Sequence, residues 1–265
     1  MIASPASENT AVSSSHASAR QAFGLKIVLA VGLIGGFLLS PKLWISTRFY
    51  PLSPVWSKLP AIGHPWDRVW FGALLALLVG VVVHPRPRWL LTAFCILAGM
   101  LSLWDQSRWQ PWFYQYLFMS IALAAFPWRN PQESPLRAEA ALNACRVIMA
   151  GMYFWSGLQK LNPLFLDDVF PWLIEPIVPR LPEFLQAKIT STGIASPFVE
   201  AGLGLALLIR PLRHAAVFGL IVMHALLLFC LGPLGHNWNT VVWPWNIAMA
   251  LMCVVLFWQT KSVST

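Results

Sequence analysis

Charge is what this chain has least of. Asp, Glu, Lys and Arg together make up 11% of its 265 residues, where a soluble domain carries about 25%. Such a chain cannot clothe a surface that faces water. Acid is the scarcer sign: 10 Asp and Glu stand against 18 Lys and Arg, for a net charge of +8. A basic excess invites a nucleic-acid partner, but here the cations are scattered rather than striped, so no nucleic acid is expected. Cysteine is sparse as well. Cys95, Cys145, Cys230 and Cys253 all lie in apolar runs and form no CxxC. They exclude a disulfide framework and a zinc site and read as buried, inert thiols. Also missing are a P-loop, GxGxxG, GxSxG and HExxH, so nucleotide, dinucleotide and zinc-hydrolase chemistry lose their support. No metal site is expected.

What is present is hydrophobic, at 57% of all residues. It comes in long runs: Phe23–Leu39, Val69–Val83, Trp89–Trp104, Trp112–Trp128, Ala140–Leu161, Ile189–Ile209, His214–Leu231 and Val241–Phe257. A bilayer core about 30 Å thick takes roughly 20 such residues as helix. The fold expected is therefore all-α, a polytopic transmembrane bundle of about eight helices, or seven if the second run does not cross. Residues 1–21, rich in Ser and Ala, read as a disordered tail, and residues 22–260 as one transmembrane domain. Gly32 and Gly36 are spaced for close packing against a neighbouring helix.

Eight spans put Arg20, Lys26, Arg86, Arg88, Arg129, Arg137, Arg210, Arg213 and Lys261 on one side, in short connections where the positive-inside rule acts. The opposite loops are longer and hold Asp67, Asp105, Asp167, Asp168, Glu175 and Glu183. Both termini are thus expected in the cytoplasm, with a bacterial inner membrane as the setting. Among the outer loops, the first (residues 41–68) has prolines at 51, 54, 60 and 65 and the aromatics Phe49, Tyr50, Trp56 and Trp66. The fifth (residues 162–188) is apolar but broken by prolines, which suits an interfacial helix or a re-entrant lid.

Ionisable residues inside apolar runs mark candidate sites. Arg146 and Lys160 share one run and, fourteen residues apart, one helical face, separated by roughly 21 Å. Ala150, Tyr153 and Gly157 lie on the same stripe. The plainer alternative is that both cations snorkel to the helix ends. Glu200 is a lone carboxylate that must be protonated, paired or wet, and Lys160 or Arg146 is its natural partner. His224 stands alone in an apolar run, as a satisfied core histidine or a functional one. His236, Trp238, Asn239, Trp243 and Asn246 cluster in or beside the seventh loop, lining a polar cavity or anchoring an interface. Asp105 and Arg108, three residues apart, read as a surface ion pair.

The stretch Tyr153-Phe-Trp-Ser-Gly-Leu-Gln-Lys-Leu-Asn162 resembles the aromatic-x-x-(Ala/Ser)-Gly-x-x-Lys-Leu-(Asp/Asn) motif of the transmembrane part of the vitamin K-dependent γ-carboxylase-like family, also called the horizontally transferred transmembrane domain. Arg48-Phe-Tyr-Pro-Leu-Ser-Pro-Val-Trp56, the segment from Asp105 to Leu117, and Met223-His-Ala-Leu-Leu-Leu-Phe229 followed by Trp243-Pro-Trp-Asn246 occur in similar order. The resemblance implies that Lys160 is the base in quinol chemistry. The family's Asn-His pair is replaced here by Gln110, Pro111 and Trp112. The segment Val199-Glu-Ala-Gly-Leu-Gly-Leu205 is also similar to DoxX- and MauE-type membrane proteins, tied to quinone or thiol redox chemistry.

Beside a transporter or lipid-binding protein, which the lack of paired short broken helices in two matching halves counts against, two functional readings result. One is a membrane enzyme at the outer leaflet acting on a lipophilic, quinone-like substrate. Its catalytic residues would be Lys160, Glu200, His224 and His236, and its substrate-binding residues Arg146, Tyr153, Trp238, Asn239 and Trp243. The other is a non-catalytic, DoxX-like redox-associated subunit or assembly partner, engaging a membrane or periplasmic redox protein. In the first, Tyr153, Lys160, Glu200, His224 and His236 should line one outward cavity, with no cofactor certain and a quinone as the candidate. The topology is testable. In a Cys-less background, a cysteine at position 64, 167 or 236 should react with impermeant reagents added outside, and labelling of position 236 only from the cytoplasm overturns the orientation.

Overall fold

The computed structural model describes residues 5–48 and 50–258. Phe49 and Lys261 lie outside them, as do both chain ends. Ten α-helices and no strand occur among the described residues. The described chain divides into two compact units, the first ending at Cys145 and the second beginning at Arg146, where the sequence reads as one domain.

The first helix, α1 (Pro5–Leu39), begins far upstream of its apolar run. Residues 5–21, read as disordered tail, are helical. Pro opens a helix where a missing N–H costs nothing, and Ala is the best helix former. Extending a helix already nucleated by its apolar half needs no second nucleus. Lys26, expected in the cytoplasmic tail, consequently lies within the span and is fully buried.

Three helices are long and apolar enough to cross a membrane: His16–Leu39 of α1, α2 (Trp66–Val83), and Arg210–Leu231, which contains α9 (Arg213–Leu231). The chain reads as an integral membrane protein on that ground. The eight-span count is not reached on length. Apolar but shorter are α3 (Arg88–Trp104) and α10 (Val242–Cys253) with its π-helical extension to Trp258. Shorter still are α4 (Pro111–Ala124) and α8 (Ala195–Ala206). At 1.5 Å per residue these last two rise about 21 and 18 Å, less than the hydrocarbon thickness. The sixth run is cut because Ser191 and Thr192 turn their hydroxyls onto the carbonyls of Lys188 and Ile189, each at 2.6 Å, within a 3-10 segment. Such local bonds compete with the α-helical ladder.

In the first unit α1 packs on α2 and α4, α2 on α3, and α3 on α4, closing a ring of four. Phe37 sits at the centre of an aromatic cluster, with the rings of Trp44, Phe71, Phe94, Trp112 and Phe113 around it. Gly36 admits one of them: a Cβ there would stand 2.8 Å from the Trp112 ring.

Asp105 and Arg108 are not a surface pair. Both are buried, with Arg48 as a third member. One Asp105 oxygen accepts from Arg48 and the other from the Ser107 hydroxyl at 2.8 Å. Arg108 donates to the carbonyls of Leu101, Leu43 and Trp44, which a helix end and a 3-10 turn leave unpaired. The proline-rich first loop cannot satisfy its own backbone, so it borrows: Trp104 Nε1 donates to Pro60 at 2.7 Å, and the Gln106 side chain to Pro54 at 3.2 Å. Carrying the loop's main chain down onto the cluster makes a salt bridge of what three-residue spacing alone presents as exposed.

Burial pushes the Asp105 carboxyl up, but the bonds from Arg48 and Ser107 and the charges of Arg48 and Arg108 outweigh it, holding it below the usual carboxylate range. Burial brings the Arg108 guanidinium down to about 10, against the opposing charge of Asp105, so it stays cationic at neutral pH. A depressed carboxyl contributes stability above its unfolded value, about 3.9, and loses it as pH falls through the lower folded value. The thermal midpoint in detergent should therefore hold from pH 7 to about 5 and drop below about 4. Asp105→Asn should cost about 3–5 kcal/mol at pH 7, the scale for orphaning buried charges, and should flatten the acid drop. A wild-type midpoint in that variant would remove the cluster from the stability account.

Candidate functional site

Two glycines govern the second unit. From α5 (Pro135–Gln159), Gly157 faces α8, and a Cβ on it would lie 2.4 Å from the Pro197 carbonyl and 2.9 Å from the Ala201 Cβ. From α8, Gly204 faces back, and its Cβ would lie 2.8 Å from that of Tyr153 and 2.9 Å from the Ala150 carbonyl. The helices run antiparallel at backbone contact, as small residues permit. The stripe of Ala150, Tyr153, Gly157 and Lys160 thereby meets Pro197, Glu200, Ala201 and Gly204.

The consequence at one end is an ion pair. Lys160 Nζ donates to Glu200 Oε2, with the lysine side chain 26% exposed and the glutamate 9%. Asn162 ends α5 just beyond: its amide donates to the Gln159 carbonyl at 2.7 Å and its oxygen accepts from Phe165 N at 2.9 Å. This turn lays the Phe165 ring 5.7 Å from the Lys160 ammonium, a cation–π distance.

Two helical turns back, Tyr153 begins a buried chain of hydrogen bonds. Its hydroxyl lies 2.7 Å from His224 Nε2 and 3.3 Å from Cys253 Sγ, and His224 Nδ1 lies 2.8 Å from Asn246 Oδ1. The directions follow from the far end. Asn246 Nδ2 donates to the Val242 carbonyl at 2.7 Å, so its oxygen accepts and His224 Nδ1 carries the proton. Burying an imidazolium is costly; a neutral ring then offers Nε2 as acceptor, Tyr153 donates to it, and the Cys253 thiol donates to Tyr153. Cys253, expected to be inert, thus has a polar role. The charges of Lys160 and Glu200 both act on His224, which puts ion pair and chain in one electrostatic neighbourhood.

The fifth and seventh loops meet each other. Phe165, Phe170 and Ile174 bury a small apolar cluster in the fifth, where α6 (Phe170–Ile174) follows a π-turn. Trp172 stacks on His236 at 4.2 Å, and His236 Nε2 donates to the Trp172 carbonyl at 2.6 Å. Trp238 stands edge-on to Trp172 and is largely exposed. Asn237 and Asn239 both have φ of 49°, a left-handed conformation that Asn tolerates better than most residues. Their density in the loop has a backbone reason. Trp243 Nε1 donates to the Leu231 carbonyl at 3.0 Å.

Of the expected site residues, Lys160, Glu200, Tyr153 and His224 gather, with Asn246, Cys253 and Phe165 added. His236 bonds to Trp172 and not to Lys160, Glu200 or His224. Arg146, expected to bind substrate, is buried with Nε on the Leu256 carbonyl at 3.1 Å, where a cation offsets the negative end of a helix. A cavity of about 610 Å³ lies in the first unit, lined by none of these residues. Sequence spacing gave no sign of Asn246 or Cys253 as partners, which lie 22 and 100 residues from the groups they bond. The only signal was a polar residue inside an apolar run.

Comparison of the chain with protein-family models, with curated proteins and with solved structures finds no match.

A double-mutant cycle checks the pair. Lys160→Ala and Glu200→Ala should each destabilise more than the two together, with a coupling of about 0.5–3 kcal/mol, toward the lower end because the lysine is partly solvated. Additive losses in thermal midpoint would mean that the two groups do not depend on one another.

Proposed function

We propose that the second unit is the reactive half of a membrane enzyme that takes a proton from a lipophilic, quinone-like substrate at the outer leaflet, with Lys160 as base. The observation that carries this reading is the asymmetry of the Lys160–Glu200 pair, whose amine end is partly open and whose carboxylate end is buried. A cationic lysine cannot accept a proton. Passing one to Glu200 gives a neutral amine beside a neutral acid, and poor solvation of both charges lowers the cost of that exchange. The amine then takes the proton of a quinol hydroxyl: the O–H bond breaks, an N–H bond forms, and the electron pair stays on oxygen as quinolate. The substrate anion is born beside an ammonium, and the Phe165 ring, 5.7 Å away, favours that cation. Glu200 returns its proton to water to reset the pair. Tyr153 and His224 hold α5 against α9 and α10 and so position Lys160. The likeness of residues 153–162 to the γ-carboxylase-like motif supports the same assignment.

A specific observation favours the second reading, a DoxX-like redox-associated subunit. Each side chain of the chain from Cys253 to Asn246 has its partner inside the protein, as a scaffold requires. The two readings separate in one experiment. Lipids and quinones co-purified in mild detergent are identified by mass spectrometry, and quinol deprotonation is followed optically in the purified protein. The enzyme reading expects bound quinone and turnover that Lys160→Ala abolishes while the thermal midpoint stays within a few degrees. Lys160→Arg, always charged, should not restore it. Absence of turnover in pure protein, with a redox protein co-purifying in stoichiometric amount, supports the subunit.

A further inference from the structure

The cavity of about 610 Å³ in the first unit lies where the turn between α2 and α3 faces the segment between α4 and α5. Pro85 and Pro87 in the one and Pro127 and Pro131 in the other bar helix, so both connections stand open. Arg86, Arg88, Arg129 and Arg137 line the space against a single carboxylate, Glu133. Several of these groups are held in place. Arg137 Nε donates to the Ala125 carbonyl at 2.9 Å, the Arg86 backbone N–H to His84 Nδ1 at 3.0 Å, and the Trp128 indole to the Leu123 carbonyl at 2.8 Å.

A fifth cation lies behind this wall. Lys26, wholly buried, donates from Nζ to the carbonyl of His84, itself a lining residue, at 2.6 Å. Its ammonium also stands 4.6 Å from the Phe23 ring, and among the described residues no carboxylate pairs with it. Gathered cations repel one another, and an anion in their midst relieves the repulsion.

We infer that this cleft binds a phosphate-bearing anion. Guanidinium forks match phosphate oxygens in bidentate fashion, and the volume falls in the range of about 300–1,000 Å³ typical of small-molecule sites, far more than a halide needs. Trp89 and Trp128 are among its lining residues, the residue type found at lipid-headgroup depth. The headgroup of an anionic phospholipid and a free phosphorylated small molecule share this chemistry.

The test uses the full-length protein in nanodiscs of phosphatidylcholine, with and without phosphatidylglycerol. Native mass spectrometry reads retained lipid, and calorimetry in phosphatidylcholine discs reads inorganic phosphate and pyrophosphate. Each arginine near a membrane surface contributes about 1 kcal/mol toward an anion, or roughly fivefold. Arg88→Gln with Arg129→Gln should therefore weaken binding about 25-fold, and the charge-matched pair Lys188→Gln with Arg210→Gln, from the second unit, should leave it unchanged. Selective loss of phosphatidylglycerol identifies the headgroup as source. Selective loss of saturable phosphate or pyrophosphate binding identifies a soluble ligand. Equal losses in the two double variants, or no saturable binding to wild type, overturns the inference.

Discussion

The separation of α5 and α8 is set by hydrogen atoms where side chains would otherwise stand. Gly157 and Gly204 face opposite ways across one contact, so the helices touch at both ends of it and cannot be spread at one without strain at the other. Lipid rewards apolar association little, and close packing has to supply what the hydrophobic effect supplies in water. Two partly desolvated charges ride on that contact. Lys160 is one turn from Gly157, and Glu200 one turn from Gly204. The ion pair is therefore a product of backbone proximity, and Tyr153, wedged against Gly204, is aimed at His224 by the same approach.

The first unit solves a different problem with charge. Its long first loop carries too many prolines to form regular structure, yet it lies over helix ends whose carbonyls need partners. Asp105 and its two arginines supply them. One carboxylate pairs with both guanidinium groups, and Arg108 spends three nitrogens on three backbone oxygens. Helix-to-helix contact fixes the second unit, and loop-to-helix contact fixes one end of the first.

Much of this was legible from residue types. Long apolar runs gave the helical class, and each run carries a helix. The requirement that a buried ion find a partner pointed from Glu200 to Lys160, which share no local context. Helix lengths were less legible, because hydroxyl groups at 191 and 192 cut a helix that composition alone would prolong. The N-terminal segment erred the other way, since composition reports the cost of starting a helix and not the ease of extending one. Partners such as Cys253 for Tyr153, or Leu256 for Arg146, depend on how distant helices rotate about their axes. Periodicity fixes a face; it does not say which neighbour that face meets.

The hydrogen-bond chain also has a terminus. Thiol and phenol can receive and release a proton at their one heteroatom, and imidazole can receive at one nitrogen and release from the other, but the Asn246 carboxamide cannot relay one without becoming an imidic acid, a form far too high in energy to populate. Whatever proton displacement reaches His224 stops there. The array is a cul-de-sac at that end: it can polarise in response to charge forming near Lys160 and relax when that charge departs, while carrying no current past Asn246. A membrane protein that must not leak protons across its own bilayer gains insulation from that amide.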